Sequence, residues 1–274
     1  MVSQEQRRRQ LAREKFLRQQ QRRTEARRKA RVRNSAIASV LGVIVIGAVA
    51  LYTTHVLGDG DKKTEASAKT TPSASAPPSK APDPCQKPAA GSVKKLSWKK
   101  EPAMSIDTSA KYTLDLATTC GDIPIALKAS AAPHTVNSFD FLAGKGYFDH
   151  TKCHRLTTQG IYVLQCGDPQ GTGMGGPGYT LPDENLKDAS LKKHTYPAGT
   201  VAMANTGQKH TGGSQFFLVY KDSPLPPQYT PFGTIDAAGM KVLNKIAGAG
   251  ESTGQGDGAP NATVVINKAT VTKS

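Results

Sequence analysis

One stretch divides this chain more sharply than any other. From Ala36 to Tyr52, "AIASVLGVIVIGAVALY" holds seventeen residues without a charge, and Ser39 is its only polar side chain. Extended to Leu57 it reaches 22 residues, about 33 Å of helix at ~1.5 Å per residue, enough to cross a bilayer. A buried core helix is a poor alternative, because a dense block of cations stands immediately before the run and none stands inside it. Thirteen lysines and arginines against three glutamates stand immediately before the run, in residues 1–35. Most of the formal net charge of +15 therefore belongs to that tail. Cations that flank a span stay cytoplasmic, so the sequence predicts a cytoplasmic tail (1–35), a signal anchor (36–57) and an extracytoplasmic remainder. An Ala48-Val49-Ala50 site keeps a cleaved signal peptide open as the alternative, although the cationic region and the apolar run are both long for one. The tail has the charge to meet lipid head groups or nucleic acid, but a topology signal explains it without a dedicated partner, and no nucleic acid is expected.

Residues 58–101 include "TTPSASAPPSKAPDP" and show no hydrophobic period, so they read as a disordered linker. The folded part is then expected at 102–274. "YTLDLATTCGDIPIAL" alternates on both sides of a turn and predicts a hairpin. Val136, Phe139 and Leu142 lie at helical spacing, and "AAGMKVLNKIAGAG" predicts a second helix. Several short apolar runs follow one another, among them "GTVAMAN", "GSQFFLVY" and the final "ATVVINKATVT". Many short strands with few helices point to a mainly-β domain, a closed antiparallel barrel with helical caps.

Candidate chemistry narrows quickly. "GTGMGG" fits G-x-G-x-x-G at Gly171, Gly173 and Gly176, but Pro177 and Gly178 follow, so no helix starts there to hold a phosphate. His150, Cys153 and His154 fall on turn and strand, where an i, i+4 pair does not share a face, so no metal site is expected. Ser214 in "GGSQF" is not a nucleophile elbow. What remains is "CHRLTTQGIYVLQC", two short strands around a polar turn, carrying Arg155 and Gln165 among apolar neighbours. Those residue types beside a hydrophobic strand suggest a cleft, with a wet edge hairpin as the bland alternative.

All four cysteines follow the apolar run, an arrangement that allows two disulfides outside the membrane. Cys153 and Cys166 flank the hairpin and are expected to bridge its strands, leaving Cys85 to pair with Cys120. Four free thiols are the other outcome.

"CHRLTTQGIYVLQCGDPQGTGMGGPGY", "VAMANTGQKHTGGSQFFLVY" and "LPPQYTPFG", in that order, resemble the cyclophilin family of peptidyl-prolyl isomerases. The resemblance runs from about Lys111 to the C-terminus. It implies an eight-stranded antiparallel barrel with two capping helices, acting without a cofactor as a monomer on proline-containing polypeptides. Arg155 matches the family's catalytic arginine and Gln165 its supporting glutamine. Tyr162, Val163, Phe217 and Leu225 match the proline pocket, and Ala204 and Asn205 the backbone that holds the peptide. Tyr229 stands where many members have histidine. The turn between Arg155 and Gln165 is two residues longer than in compact members, and Cys166 replaces the usual glycine. The only tryptophan, Trp98, lies outside the matched region. The implied activity is isomerisation of X–Pro bonds in exported chains; a non-catalytic scaffold that tethers proline-containing peptides is the alternative, and it would not need the arginine.

Overall fold

A computed structural model describes residues 82–274. The basic tail, the apolar run and the linker up to residue 81 lie outside the described residues, so the expected anchor does too. No helix among the described residues is long and apolar enough to cross a membrane.

Among the described residues, twelve strands, two α-helices and one short 3-10 turn (Lys192–His194) follow in chain order. The first half contains β1 (Tyr112–Thr118), β2 (Gly121–Leu127), α1 (Pro133–Gly144), β3 (Thr151–Lys152), β4 (Arg155–Thr157), β5 (Val163–Cys166) and β6 (Thr195–Tyr196). The second contains β7 (Thr200–Met203), β8 (Phe216–Val219), β9 (Ser223–Pro224), β10 (Pro231–Ile235), α2 (Ala237–Gly248), β11 (Asp257–Gly258) and β12 (Val265–Lys273).

The alternation in β1 and β2 sets the first hairpin. Leu114 faces Ile125 and Leu116 faces Ile123, all four buried, while Thr113 and Asp115 stay partly wet. One sheet then runs in the order β11-β4-β5-β8-β7-β10-β2-β1-β12-β3, and β6 pairs with β9 as a separate ribbon. Its inner face is filled by apolar side chains. Phe139 of α1 packs on Phe232 at 4.5 Å between ring centroids and on Phe148 at 5.2 Å, and Leu243 and Ile246 of α2 are fully buried.

The closed eight-stranded barrel expected from the resemblance is corrected here. The sheet has ten strands and stays open between its two ends, β11 and β3. The reason lies in the segment 151–157, which belongs to both ends. Cys153 N–H donates to Val264 O on the β12 side at 3.0 Å, and the next residue, His154, donates to Gln165 O on the β5 side at 3.1 Å. One chain passes from one edge to the other at that step, so no strand-to-strand ladder spans the seam.

The helices are capped differently. Asp236 accepts from Gly239 N–H at 2.7 Å, an ordinary N-cap for α2. Ala132 has no such side chain, and α1 borrows Glu184 from a distant loop. That carboxylate accepts the N–H groups of His134 (3.0 Å) and Thr135 (2.9 Å) at the positive end of the helix dipole.

The expected linker ends earlier than residue 101. Residues 82–101 are part of the folded body, because Asp83 accepts from Thr263 N–H at 3.0 Å, Ala89 donates to Asn267, and Trp98 donates to Pro177 O at 2.8 Å. The Trp98 ring meets Phe141 edge-on at 5.0 Å. Composition hid this, since Pro, Ala and Lys surround the few anchoring side chains. Cys85 is bonded to Cys120, which ties the strap to the first hairpin, and Cys153 is bonded to Cys166. Arg155 pairs directly with Gln165, so the second bridge runs diagonal to the register.

Candidate active site

Strands β5 and β8 carry apolar residues on both faces. Leu164, Cys166, Phe216 and Leu218 point into the main core. Their neighbours Val163, Phe217 and Val219 point outward and join Tyr196 and Ala202 in a second, smaller cluster. Ile161, Ala204, Leu225 and Tyr229 only partly cover it. The uncovered part is the floor of a cleft of about 540 Å³, and Arg155, Gln165 and Asn205 contribute its polar lining.

The polar wall is a chain of contacts. Arg155 Nη1–H donates to Gln165 Oε1 at 3.1 Å. Gln165 Nε2–H donates to Gln215 Oε1 at 2.9 Å, and Gln215 Nε2–H to Gly175 O at 2.8 Å. Each amide is thereby oriented, since its oxygen faces a donor and its nitrogen an acceptor. The Gly-rich loop is itself held by Asp168. Burial would raise this carboxyl's pKa, but the N–H groups of Gln170, Thr172 and Gly173, at 2.7–2.9 Å, hold it below the usual range. Opposite, Arg155 meets Asp257 through Nε (2.7 Å) and Nη2 (2.8 Å), and its own pKa is raised further by that contact.

The apolar wall is equally fixed. Phe217 meets Tyr229 edge-on at 5.5 Å between centroids. The Tyr196 hydroxyl donates to Tyr229 O at 2.7 Å and accepts from Tyr229 N–H at 3.1 Å, pinning that rim. Burial pushes the Tyr196 phenol up to about 12. Ala204 N–H donates to Gln215 O, and Asn205 Nδ2–H to Gln228 O at 2.8 Å, so two loops meet behind the peptide-sized opening. His154 lines the cleft beside Arg155, and neither ring nitrogen has a partner.

The structure brings Arg155, Gln165, Val163, Ala204, Asn205, Phe217, Leu225 and Tyr229 to one cleft. Tyr162 is the exception. Its ring packs edge-on against Tyr220 at 5.9 Å with the Lys221 ammonium 4.5 Å from its centroid. Ile161 takes the lining position instead. The cause is the strand period: residues 161, 163 and 165 share a face and Tyr162 points to the other. Sequence reasoning also missed His154, Gln215 and Asp257. The period could have found Ile161, whereas nothing in "STGQGDGAP" marks Asp257 as a neighbour of Arg155.

An open β-sheet with two helices, a cleft with an apolar floor and an arginine held at its edge is the arrangement expected of a cyclophilin-like protein. The sequence agrees: residues 113–271, more than half of the chain, match the model of the cyclophilin type peptidyl-prolyl cis-trans isomerase/CLD family, and the chain belongs to that family. It is 47% identical over 191 residues to the probable peptidyl-prolyl cis-trans isomerase B of Mycobacterium leprae, covering 66% of this chain and 64% of that one. Its identity to the Mycobacterium tuberculosis protein of the same name is 49% over 165 residues, covering 57% and 53% respectively. The chain thus spans between about half and two thirds of the length of these relatives. A crystal structure of a cyclophilin type peptidyl-prolyl cis-trans isomerase from Cryptosporidium parvum superposes with a TM-score of 0.50 at 26% identity, over 60% of this chain and 99% of that one.

Proposed function

We propose that this protein catalyses cis–trans isomerisation of X–Pro bonds in polypeptides. The observation that carries the reading is the placement of Arg155, held by Gln165, against the apolar pocket of Ile161, Val163, Phe217 and Leu225. An X–Pro amide turns slowly because resonance stiffens its C–N bond, with a barrier of ~18–20 kcal/mol. As the bond twists, the nitrogen lone pair leaves conjugation and becomes a hydrogen-bond acceptor. A guanidinium N–H stabilises it there, and arginine suits this task because it stays protonated and its donors form a rigid fork. Shortening tens of seconds to milliseconds requires roughly 6 kcal/mol at ~1.4 kcal/mol per tenfold. One preorganised donor supplies about half of that, on the scale of an oxyanion-hole donor. The pocket supplies the remainder by gripping the proline ring while the preceding carbonyl rotates.

A protease-coupled isomerisation assay on the full chain tests this. Arg155→Ala is expected to lower kcat/KM at least tenfold with unchanged circular dichroism, and Arg155→Lys to recover little. Wild-type rates in the Ala variant would leave a peptide-binding scaffold as the better reading.

The location of this activity belongs to the same proposal. The domain works outside the membrane as a monomer on exported proline-containing chains, with residues 36–57 as a retained anchor and 1–35 in the cytoplasm. Support comes from the cations that precede the uncharged run and from two disulfides placed beyond it. Protease added to intact cells should remove the domain and spare the tail. A soluble form starting at Leu51 would instead indicate cleavage.

A further inference from the structure

Arg155 has five N–H donors. Gln165 takes one from Nη1, and the Nε/Nη2 edge meets the two oxygens of Asp257 at 2.7 and 2.8 Å. That fork-to-carboxylate contact is partly exposed, but its two parallel bonds fix the orientation of the guanidinium as well as its distance. Two N–H groups remain, one on each terminal nitrogen, for whatever enters the cleft.

Asp257 reaches this position from a loop 102 residues further along the chain. The loop is shaped around Glu251, whose buried carboxylate accepts the N–H of Thr253 at 2.6 Å, the Thr253 hydroxyl at 2.7 Å and the N–H of Gly256 at 2.8 Å. Thr158 N–H donates to Gly256 O at 2.9 Å, and Asp257 then pairs with Thr157 as β11 against β4. Both neighbours of Asp257 are glycines for a physical reason. Gly256 sits at φ +87°, and a Cβ on Gly258 would stand 2.5 Å from Glu251 Oε2. The backbone on each side of this carboxylate is therefore committed to presenting it.

We propose that Asp257 is a positioning residue for the isomerisation. It fixes the plane of the Arg155 guanidinium so that the two remaining donors face the prolyl nitrogen of a bound peptide. Gln165 alone holds one donor and leaves the guanidinium free to turn about its Cδ–Nε bond. The two-point contact with Asp257 removes that freedom. Because it acts through Arg155, losing it raises the barrier to rotation more than it weakens peptide binding, and it has no effect where Arg155 is absent.

The claim about rate rests on the isomerase reading above; the claim about the guanidinium does not, and the experiment separates them. In the full chain, Asp257→Asn keeps the shape and removes the charge. NMR of the Arg155 Nε–H should show an ordered, slowly exchanging signal in the parent and a disordered one in Asp257→Asn, with Asp257→Glu recovering part of the order. In the coupled assay, kcat of Asp257→Asn should fall about tenfold with KM within twofold. The double variant with Arg155→Ala should be no slower than Arg155→Ala alone. An unchanged Arg155 signal in Asp257→Asn would overturn the proposal, as would losses that multiply in the double variant. If the parent shows no isomerisation at all, the isomerase reading falls, and the Arg155 signal still decides whether Asp257 holds the guanidinium.

Discussion

Strands β1 and β8 belong to the same sheet but bury their side chains in different ways. In β1, Tyr112, Leu114 and Leu116 are buried while Thr113, Asp115 and Ala117 are partly exposed. In β8, all four residues from Phe216 to Val219 are buried. The first pattern is that of a sheet with one face on the core and one in water. The second needs cover on both faces, and the outer cover is incomplete. Tyr196 and Ala202 lie beside Phe217, and Leu225 and Tyr229 reach over it from the loop, but the space between them and Arg155 is open. On the proposed reading, the proline ring of a bound peptide would complete that cover. The break in alternation is thus a mark of the site, and it arises because one strand serves a core and a pocket at once.

The largest effects should separate these two faces. Leu116→Ala opens a cavity on the inner face and should cost about 3 kcal/mol, within the range for buried leucines, while leaving kcat/KM unchanged below the unfolding transition. Phe217→Ala removes the floor of the cleft, where water can fill the space. It should cost no more stability than Leu116→Ala and lower kcat/KM at least tenfold. Urea unfolding and the coupled assay read the two quantities side by side. If Phe217→Ala kept full activity, the outer cluster would be ordinary packing and the contrast between β1 and β8 would have no functional meaning.

A smaller effect sharpens the same contrast within one strand. Ile161 and Tyr162 are adjacent, yet only Ile161 lines the cleft. Ile161→Ala should reduce kcat/KM three- to tenfold, whereas Tyr162→Ala should stay within twofold because its ring lies between Tyr220 and Lys221. The reverse ranking would restore Tyr162 to the pocket and imply a shift of one residue in register, since such a shift exchanges the faces.

How much of this could be read in advance follows from which interactions are local. The β1–β2 hairpin was legible because its apolar residues recur every second position on both sides of a turn. The turn itself, expected at Cys120-Gly121-Asp122, falls one residue earlier, at Thr119-Cys120, with Gly121 and Asp122 already paired in β2. Arg155 and Gln165 stood out because a charged and an amide side chain interrupt an apolar hairpin, and they do pair across it. Tyr162 was misplaced because the resemblance supplied an aligned position where the strand period supplies a direction. The expected Cys85–Cys120 bridge does tie the start of the strap at 82–101, but its extent was missed because the rest of its hold is long-range. Asp83 is 180 residues from Thr263, and no period in a Pro- and Lys-rich segment encodes such a contact. Closure was overestimated for a related reason. Whether a sheet's last ladder forms depends on the two hydrogen bonds at Cys153 and His154, and these go to opposite edges.

The smallest expected effect concerns that seam. His154 is half-buried at the edge of the cleft with both ring nitrogens covered and unpaired, and burial lowers its pKa; Asp168 pulls it upward, while Arg155 and Lys152 push it down further. The folded state therefore takes up a proton less readily than the unfolded chain, where histidine titrates near ~6.5. As the pH falls below about 6.5, the unfolded chain is protonated first and gains on the native state. Stability should decline from there down to the folded pKa and then level off. The Lys128–Asp188 pair, 2.6 Å apart, acts in a different window. Its carboxyl is held below the ordinary range despite burial, so its contribution persists above about 3.9 and is lost only in stronger acid. Between pH 7.5 and 5.5 the difference between parent and variant thus isolates His154. The parent Tm should drop by a few degrees more than that of His154→Gln, which cannot titrate. Parallel curves would mean that the ring finds a proton acceptor in solution, and that the seam is more open to water than its two diverging hydrogen bonds imply.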